Sequence, residues 1–178
     1  NKGSKKEQQV EDDFSNWSGE ESSEFIQENG VIATIKHFVG NDQETSRECS
    51  SSNIDVRALM DMYVEPFYRS VKYAGVASVM IAYNAYNGIA CTLHPMLKDI
   101  LMNEWGFNGH ITTDGNAFKL LWIGHRQYVD DHAMAAAACI KAGISRYLDT
   151  YKDEEGNYDF SDIYKFIKPY YSAPDFMT

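Results

Sequence analysis

The strongest constraint on the fold is a fourfold alternation between short apolar runs and longer segments with helical spacing. The apolar runs are GVIATIKHF (residues 30–38), VASVMIAYN (76–84), GHITTD (109–114) and ISRYLD (144–149). Nearly unbroken apolar runs are typical of parallel strands that are buried on both faces of a sheet. Because such strands alternate with helices along the chain, the pattern predicts an α/β fold with about four βα units.

Helical patterns lie before, between and after these runs. A short helix is expected within residues 15–29, ending near Asn29, and a longer one over 55–75, with Asn53 or Asp55 available as its cap and Gly75 as its stop. Pro95 suits the first turn of a further helix. The remaining predicted helices cover residues 94–106, 130–143 and 159–171.

Two architectures fit this alternation, a doubly wound sheet and a (β/α)8 barrel. No GxGxxG sequence follows any of the runs, which disfavours the dinucleotide-binding doubly wound fold. A barrel needs eight units in about 250 residues, so four units amount to half of one. We therefore predict half of a (β/α)8 barrel over residues 30–150, preceded by a polar segment and short helix (1–29) and followed by a helix and tail (151–178).

Composition excludes several classes of partner. The net charge of −10 gives the chain no electrostatic attraction for nucleic acid. No apolar run approaches the 18 residues or so that a membrane span needs.

Three cysteines without a CxxC or Cys/His cluster predict reduced structural thiols, which slightly favours the cytoplasm. The start NKGSKKEQ, without Met, reads as that of a trimmed piece, so a secreted or periplasmic parent protein stays open.

Polar residues recur where three of the predicted strands end. The first run ends in Lys36 and His37, the second in Tyr83 and Asn84, and the third in Asp114. The carboxyl ends of parallel strands carry the chemistry of barrel and doubly wound enzymes. We therefore expect these side chains to meet at one rim.

Our hypothesis for this rim is a carboxylate surrounded by positive charge. Lys36, His37 and the loop residue Arg47 would surround Asp114 and favour the ionised form that a nucleophile needs. Each residue also has an ordinary structural explanation. Lys36 or His37 alone could be solvated, and Tyr83 could be a core aromatic. Asp114 could cap the next helix, and Arg47 could form a surface ion pair with Glu44 or Glu48.

Three motifs resemble those of glycoside hydrolase family 3, which includes β-glucosidases and β-xylosidases. ATIKHFVGNDQETSR resembles the family's KHF-x-x-N-x-x-E-x-x-R segment. GVASVMIAYNAYNG resembles its GV-x-SVM-x-x-YN-x-x-NG strand, and LKDILMNEWGFNGHITTD resembles the segment that ends on the catalytic aspartate. The resemblance implies the later half of a (β/α)8 barrel, normally followed by a second domain, and a retaining mechanism on β-linked glycosides.

The same resemblance implies roles for individual residues. Asp114 matches the nucleophile, and no metal or organic cofactor is implied. The acid/base residue would come from the second domain, so neither Glu44 nor Glu48 is assigned that role. The implied partners are a β-linked oligosaccharide or glycoside, the other half of the barrel and the second domain. The residues that match sugar-binding positions are Lys36, His37, Arg47, Met80 and Tyr83.

Two further expectations concern the backbone at the end of the first apolar run and a departure from the family pattern. Lys36 and His37 can both reach a sugar if the chain leaves strand geometry there, so we expect a strained or cis peptide near Lys36, His37 and Phe38. Gly115 follows Asp114 where the family usually has Trp, which leaves the aglycone preference open; Trp122 or Tyr128 could substitute. The resemblance implies part of an exo-acting β-glucosidase that hydrolyses terminal non-reducing sugars. The alternatives are β-xylosidase or another glycosidase specificity, a barrel that binds carbohydrate without cleaving it, and an inactive fragment.

Overall fold

The fold centres on a parallel sheet, seen in a computed structural model that describes residues 18–123, 128–130, 132–148, 151–152 and 158–159. Its strand order is β1–β3–β6, with every neighbouring pair parallel, which confirms the α/β class and the first three predicted strands. The strands are β1 Thr34–Phe38, β2 Ser51–Ser52, β3 Ser78–Ile81, β4 Ala85–Tyr86, β5 Ile89–Ala90, β6 His110–Thr113, β7 Tyr151–Lys152 and β8 Tyr158–Asp159.

The fourth predicted strand, residues 144–149, is not a regular strand in the described part of the chain. Arg146 forms an isolated parallel bridge to Thr112 of β6. Its backbone N–H donates to the Ile111 carbonyl at 3.2 Å, but the N–H of Ile111 bonds to the Ser145 hydroxyl at 2.9 Å. The Ser145 side chain thus takes a backbone donor that a regular ladder would use, and pairing is reduced to one bridge.

Among the described residues, five helices flank the strands, in addition to a short 3-10 helix at Cys91–Leu93. The third of the five is π-helical. The second combines the consecutive segments Val56–Ala58, Leu59–Val64 and Glu65–Lys72, of which the middle one is π-helical. Ser18 caps the first in a reciprocal capping box with Glu21, and Asp55 caps the second by accepting from the Ala58 N–H at 3.0 Å. The helices are α1 Gly19–Glu28, α2 (the three segments above), α3 Leu97–Glu104, α4 Leu120–Ile123 and α5 His132–Ala142.

The core fills the side of the sheet that α2 and α3 cover. Phe38 at the end of β1 is 1% exposed and meets Phe67 of α2 edge-on, with ring centroids 5.1 Å apart. Trp105, just after α3, lies 6.2 Å from the same ring. Burying aromatic rings in this way supplies much of the apolar stabilisation of a small domain. The packing of Phe38 in the core therefore fixes the end of β1, next to Lys36 and His37.

Several elements were not predicted from the sequence. The strand β4 lies between β2 and β5 in a small second sheet, and β7 pairs antiparallel with β8. The predicted last helix lies outside the described residues except for Asp159, which belongs to β8. Cys49 is an exposed thiol, Cys91 and Cys139 are buried, and burial raises the pKa of Cys91 to about 12. Among the described residues, no helix combines the length and hydrophobicity of a membrane span.

Candidate active site

The site begins with an irregularity in β1. Ile35 pairs with Val79 and Phe38 with Ile81, so two residues of β1, Lys36 and His37, stand opposite the single residue Met80. A bulge of this kind re-aims side chains relative to the regular alternation of a strand. The peptide bonds Lys36–His37 and Phe38–Val39 are both cis, as expected for this stretch.

Asp114 lies at the carboxyl end of β6, within reach of the end of β1. Its Oδ2 is 3.2 Å from His37 Nε2, and its Oδ1 accepts a hydrogen bond from the Gly115 N–H at 2.7 Å. The side chain is 16% exposed. The helix-cap alternative does not hold, because α4 begins only at Leu120. With one oxygen held by the backbone and the other beside an imidazole, the carboxylate has a fixed orientation.

The imidazole of His37 is predominantly neutral at pH 7. Burial lowers its pKa below the ordinary value of 6.5, and the charges of Lys36 and Arg47 lower it further, whereas the Asp114 carboxylate raises it. A neutral imidazole can donate from Nε2 to the carboxylate while Nδ1 remains an acceptor. The positive charge at this rim therefore belongs to Lys36 and Arg47.

This balance predicts two measurable consequences of pH. In an NMR titration, the His37 midpoint should lie below 6.5, and Asp114→Asn should lower it further by removing the charge that opposes the shift. Because the folded protein binds this proton less readily than the unfolded chain, the contribution of His37 to stability is complete above pH 6.5 and is lost as pH falls through the folded pKa. Unfolding curves of His37→Asn should lack this part of the pH dependence.

The matched control for the titration is His94, whose pKa is also lowered by burial but which lies in another part of the chain. Its midpoint should be the same in the wild type and in Asp114→Asn. A His37 midpoint at or above 6.5, or one that rises on Asp114→Asn, would contradict the arrangement described above.

Tyr83 and Arg47 form the next part of the site. The Tyr83 hydroxyl donates to the carbonyl of Gly115, and the Arg47 guanidinium lies over the tyrosine ring, 4.5 Å from its centroid. Burial, and then the charge of Asp114, raise the pKa of Tyr83, so its hydroxyl stays protonated at neutral pH. Arg47 also pairs with Glu44 at 2.8 Å, so the ion pair considered above is present and Glu44, rather than Glu48, is the partner in the structure.

Lys36 lies on the outer side of this group. It lines a cavity of about 330 Å³ together with His37, Asn41 and Asp42 from β1 and its loop, and Tyr63 from α2. Ligand pockets begin at about this size. Met80 is half-buried on β3 and pairs with Thr112, two residues before Asp114. The structure thus brings His37, Arg47, Tyr83 and Asp114 together and places Lys36 and Met80 beside them.

Gly115, the residue after Asp114, lies where the structure has room for a larger residue. A Cβ at Gly115 would meet no atom closer than the Tyr83 hydroxyl at 3.7 Å, which is an ordinary contact. Trp122 and Tyr128 were considered as substitutes for the Trp that the family usually has at position 115. The Trp122 ring packs on Phe118, with ring centroids 5.0 Å apart. Tyr128 donates its hydroxyl to the Gly88 carbonyl at 2.7 Å.

Two contributions to the site had no role assigned from the sequence, although Asn84 was expected at this rim. Asn84, 1% exposed, directs its amide nitrogen to the carbonyls of Val39 and Gly40, both at 3.2 Å, and so joins the end of β3 to the loop after β1. The Gly115 carbonyl, which receives the Tyr83 hydroxyl, has no sequence signal because it is a backbone group. In the described part of the chain, no three His, Cys, Asp or Glu side chains are grouped as a metal site requires.

Comparison with known proteins identifies relatives of the chain. The family model described as "Glycosyl hydrolase family 3 N terminal domain" matches residues 17–167. A β-glucosidase of Rhizobium radiobacter is 46% identical over 90 residues, which cover 50% of this chain and 11% of that protein. The chain spans about an eighth of the length of the curated relatives it matches.

Solved structures show the same relationship. β-Glucosidase 3B from Thermotoga neapolitana, in complex with glucose, superposes with a TM-score of 0.61 at 34% identity, over 72% of this chain and 16% of that one. An exo-β-xylosidase with a bound xylobiose aziridine probe also gives a TM-score of 0.61, at 30% identity, over 66% of this chain and 16% of that one.

Proposed function

Because the chain belongs to glycosyl hydrolase family 3, we propose that it forms part of the catalytic barrel of a retaining, exo-acting β-glycosidase with β-glucosides as substrates. The observation that carries this proposal is the oriented Asp114 carboxylate, 3.2 Å from His37 and flanked by Tyr83 and Arg47 at the carboxyl end of the sheet. A single carboxylate with polar side chains around it suits attack on a sugar carbon and binding of sugar hydroxyls.

The proposed mechanism has two displacements at the anomeric carbon. An Asp114 oxygen forms a bond to this carbon while the bond to the leaving-group oxygen breaks, and an acid gives that oxygen a proton. Water then attacks the glycosyl-aspartate, loses its proton to the same group acting as base, and releases the carboxylate. We propose that this acid/base group lies in a second domain, as the resemblance to the family implies, and we assign the role to neither Glu44 nor Glu48.

The surrounding side chains would bind and orient the sugar. Lys36 and Arg47 donate to hydroxyls, and the Nδ1 of His37 accepts from one. Three groups, two on β1 and one on the loop after it, fix a polyhydroxylated ring more precisely than one, which lowers the entropic part of the barrier. Met80 would supply an apolar contact in the same subsite.

The direct test is the configuration of the first product. With the complete protein and an aryl β-D-glucoside, ¹H NMR should show β-glucose before mutarotation produces the α-anomer. Initial release of α-glucose would exclude a glycosyl-aspartate intermediate. Sugar binding without release of the aryl group would favour the carbohydrate-binding alternative.

A second candidate substrate is a β-xyloside, because the exo-β-xylosidase superposes as well as the glucosidase does. The two sugars differ in the hydroxymethyl group at C5 of glucose. The ratio of kcat/KM on the matched aryl β-D-glucoside and β-D-xyloside decides between them. A ratio above one supports the glucosidase.

We also propose that the chain supplies the later half of a barrel. The outer edge of β1 has no strand partner among the described residues, and an apolar cavity of about 410 Å³ lies beside Thr34 and Ile35. Val31 and Ile32, just before β1, are 60% and 65% exposed. An open edge with apolar residues beside it suits an additional strand.

This half-barrel proposal predicts the behaviour of the isolated 178-residue chain. In sedimentation equilibrium it should self-associate, because an open β-edge and uncovered apolar residues favour pairing. Co-expression with the preceding half of the parent barrel should give a stable complex instead. A folded, soluble monomer of these residues alone would contradict the proposal.

A further inference from the structure

The Arg47 guanidinium contacts two side chains, Tyr83 and Glu44. Only Tyr83 is among the proposed substrate-binding residues. The tyrosine ring of Tyr83 supports one face of the guanidinium, 4.5 Å from its carbon to the ring centroid. The carboxylate of Glu44 contacts Nη1 at 2.8 Å. A planar guanidinium fixed by stacking and by a charged hydrogen bond keeps few rotamers.

The loop backbone brings these two side chains to the same side. The Arg47 N–H donates to the Glu44 carbonyl at 3.3 Å, which closes a turn over residues 44–47. Ser46 has a positive φ of 58°, and its carbonyl accepts from the Cys49 N–H at 2.9 Å in a second, overlapping turn. Glu44 and Arg47 are therefore paired within a compact loop that follows β1.

The location of this pair argues against a role in folding stability. The Glu44 side chain is 73% exposed, and exposed ion pairs contribute little to stability. Arg47 is 32% exposed and lies on a ring whose hydroxyl is bonded to the residue after Asp114. A surface carboxylate that restrains a cation at the edge of the site affects substrate binding more than folding.

From this arrangement we propose that Glu44 is a positioning residue, which orients the Arg47 guanidinium on the Tyr83 ring for contact with a sugar hydroxyl. The inference rests on the proposed glycosidase function, in which Arg47 binds the sugar. Glu44 itself touches no substrate, and it acts only through Arg47.

The test combines kinetics with a double-mutant cycle in the complete protein. Glu44→Ala should raise KM for an aryl β-D-glucoside about 3–10-fold, Glu44→Gln should raise it less, and kcat should change less than about twofold. In an Arg47→Ala background, Glu44→Ala should have no further effect, because the group it orients is absent. Glu48→Gln, which removes an exposed charge from the same loop, is the matched control and should leave KM unchanged.

A second readout is independent of hydrolysis. Restrained rotation of Arg47 should give resolved guanidinium NMR signals in the wild type that average together in Glu44→Ala but not in Glu48→Gln. Unchanged Arg47 signals, or equal effects of Glu44→Ala with and without Arg47, would overturn the inference. If the wild type hydrolyses no glycoside, the proposed function fails, and the Arg47 signals still decide whether Glu44 orients this side chain.

Discussion

Replacing Asp114 with glycine is expected to reduce hydrolysis of an aryl β-D-glucoside by about 10⁴-fold or more, because the group that forms the covalent intermediate is removed. The variant should fold normally, because Asp114 is at a strand end and its loss removes only polar contacts, to His37 and to the Gly115 N–H. Added azide should restore turnover of a substrate with an activated leaving group. The product should be the α-glucosyl azide, because a single displacement inverts the anomeric carbon.

The matched control for this variant is Asp99→Gly. Asp99 is an exposed carboxylate on α3, on the outside of the sheet, so its loss removes the same charge away from the site. Its kcat/KM should stay within about twofold of the wild type. Residual activity of Asp114→Gly near that of the wild type, or azide rescue that yields the β-azide, would show that Asp114 is not the nucleophile.

Removal of the His37 imidazole has the second-largest expected effect. His37→Ala should lower kcat/KM by about 10²–10³-fold, because the site loses both a sugar-binding group and the donor beside the nucleophile. Much of the loss should appear in kcat, since the imidazole contacts the carboxylate that reacts, at 3.2 Å. Steady-state kinetics with aryl β-D-glucosides measure this effect.

His110 provides the comparison for His37. It begins β6 at the amino end of the same sheet, where its Nδ1 lies 3.1 Å from the Ser145 hydroxyl. His110→Ala should therefore leave kcat/KM close to that of the wild type. Equal losses in the two variants would indicate that histidine removal acts through stability rather than through the active site.

The sheet and the location of the site could be predicted from the sequence because both follow from local patterns. Buried parallel strands leave long apolar runs, and the three runs that became β1, β3 and β6 contain the observed strands in full. The adjacent polar residues Lys36 and His37 at the end of such a run signalled an irregular strand, which the structure shows as a bulge opposite Met80.

The remaining features depend on contacts between distant segments. The small sheet of β2, β4 and β5 has strands of two residues, too short for a periodic pattern, and Asn87 of its hairpin is fixed by accepting from the Ile54 N–H at 3.0 Å. The run at 144–149 looks like a strand in isolation. Its pairing is limited by the Ser145 hydroxyl, which competes for a backbone donor of β6.

Sequence patterns also left open which carboxylate pairs with Arg47. Glu44 and Glu48 are both within reach along the chain, at three residues before and one residue after it. The positive φ of Ser46 turns the loop so that Glu44 meets the guanidinium. A left-handed residue other than glycine in a loop has no reliable sequence signal, so this choice required the structure.

The most direct test of the central claim is the mass of the complete protein before and after incubation with 2-deoxy-2-fluoro-β-D-glucosyl fluoride. The activated leaving group needs little help from an acid, so this reagent reports on the nucleophile alone. Our account predicts one covalent fluoroglucosyl adduct on the peptide that contains Asp114. A complete, folded protein that forms no adduct, or forms one on another peptide, would contradict the assignment of Asp114 as the nucleophile of a β-glucosidase.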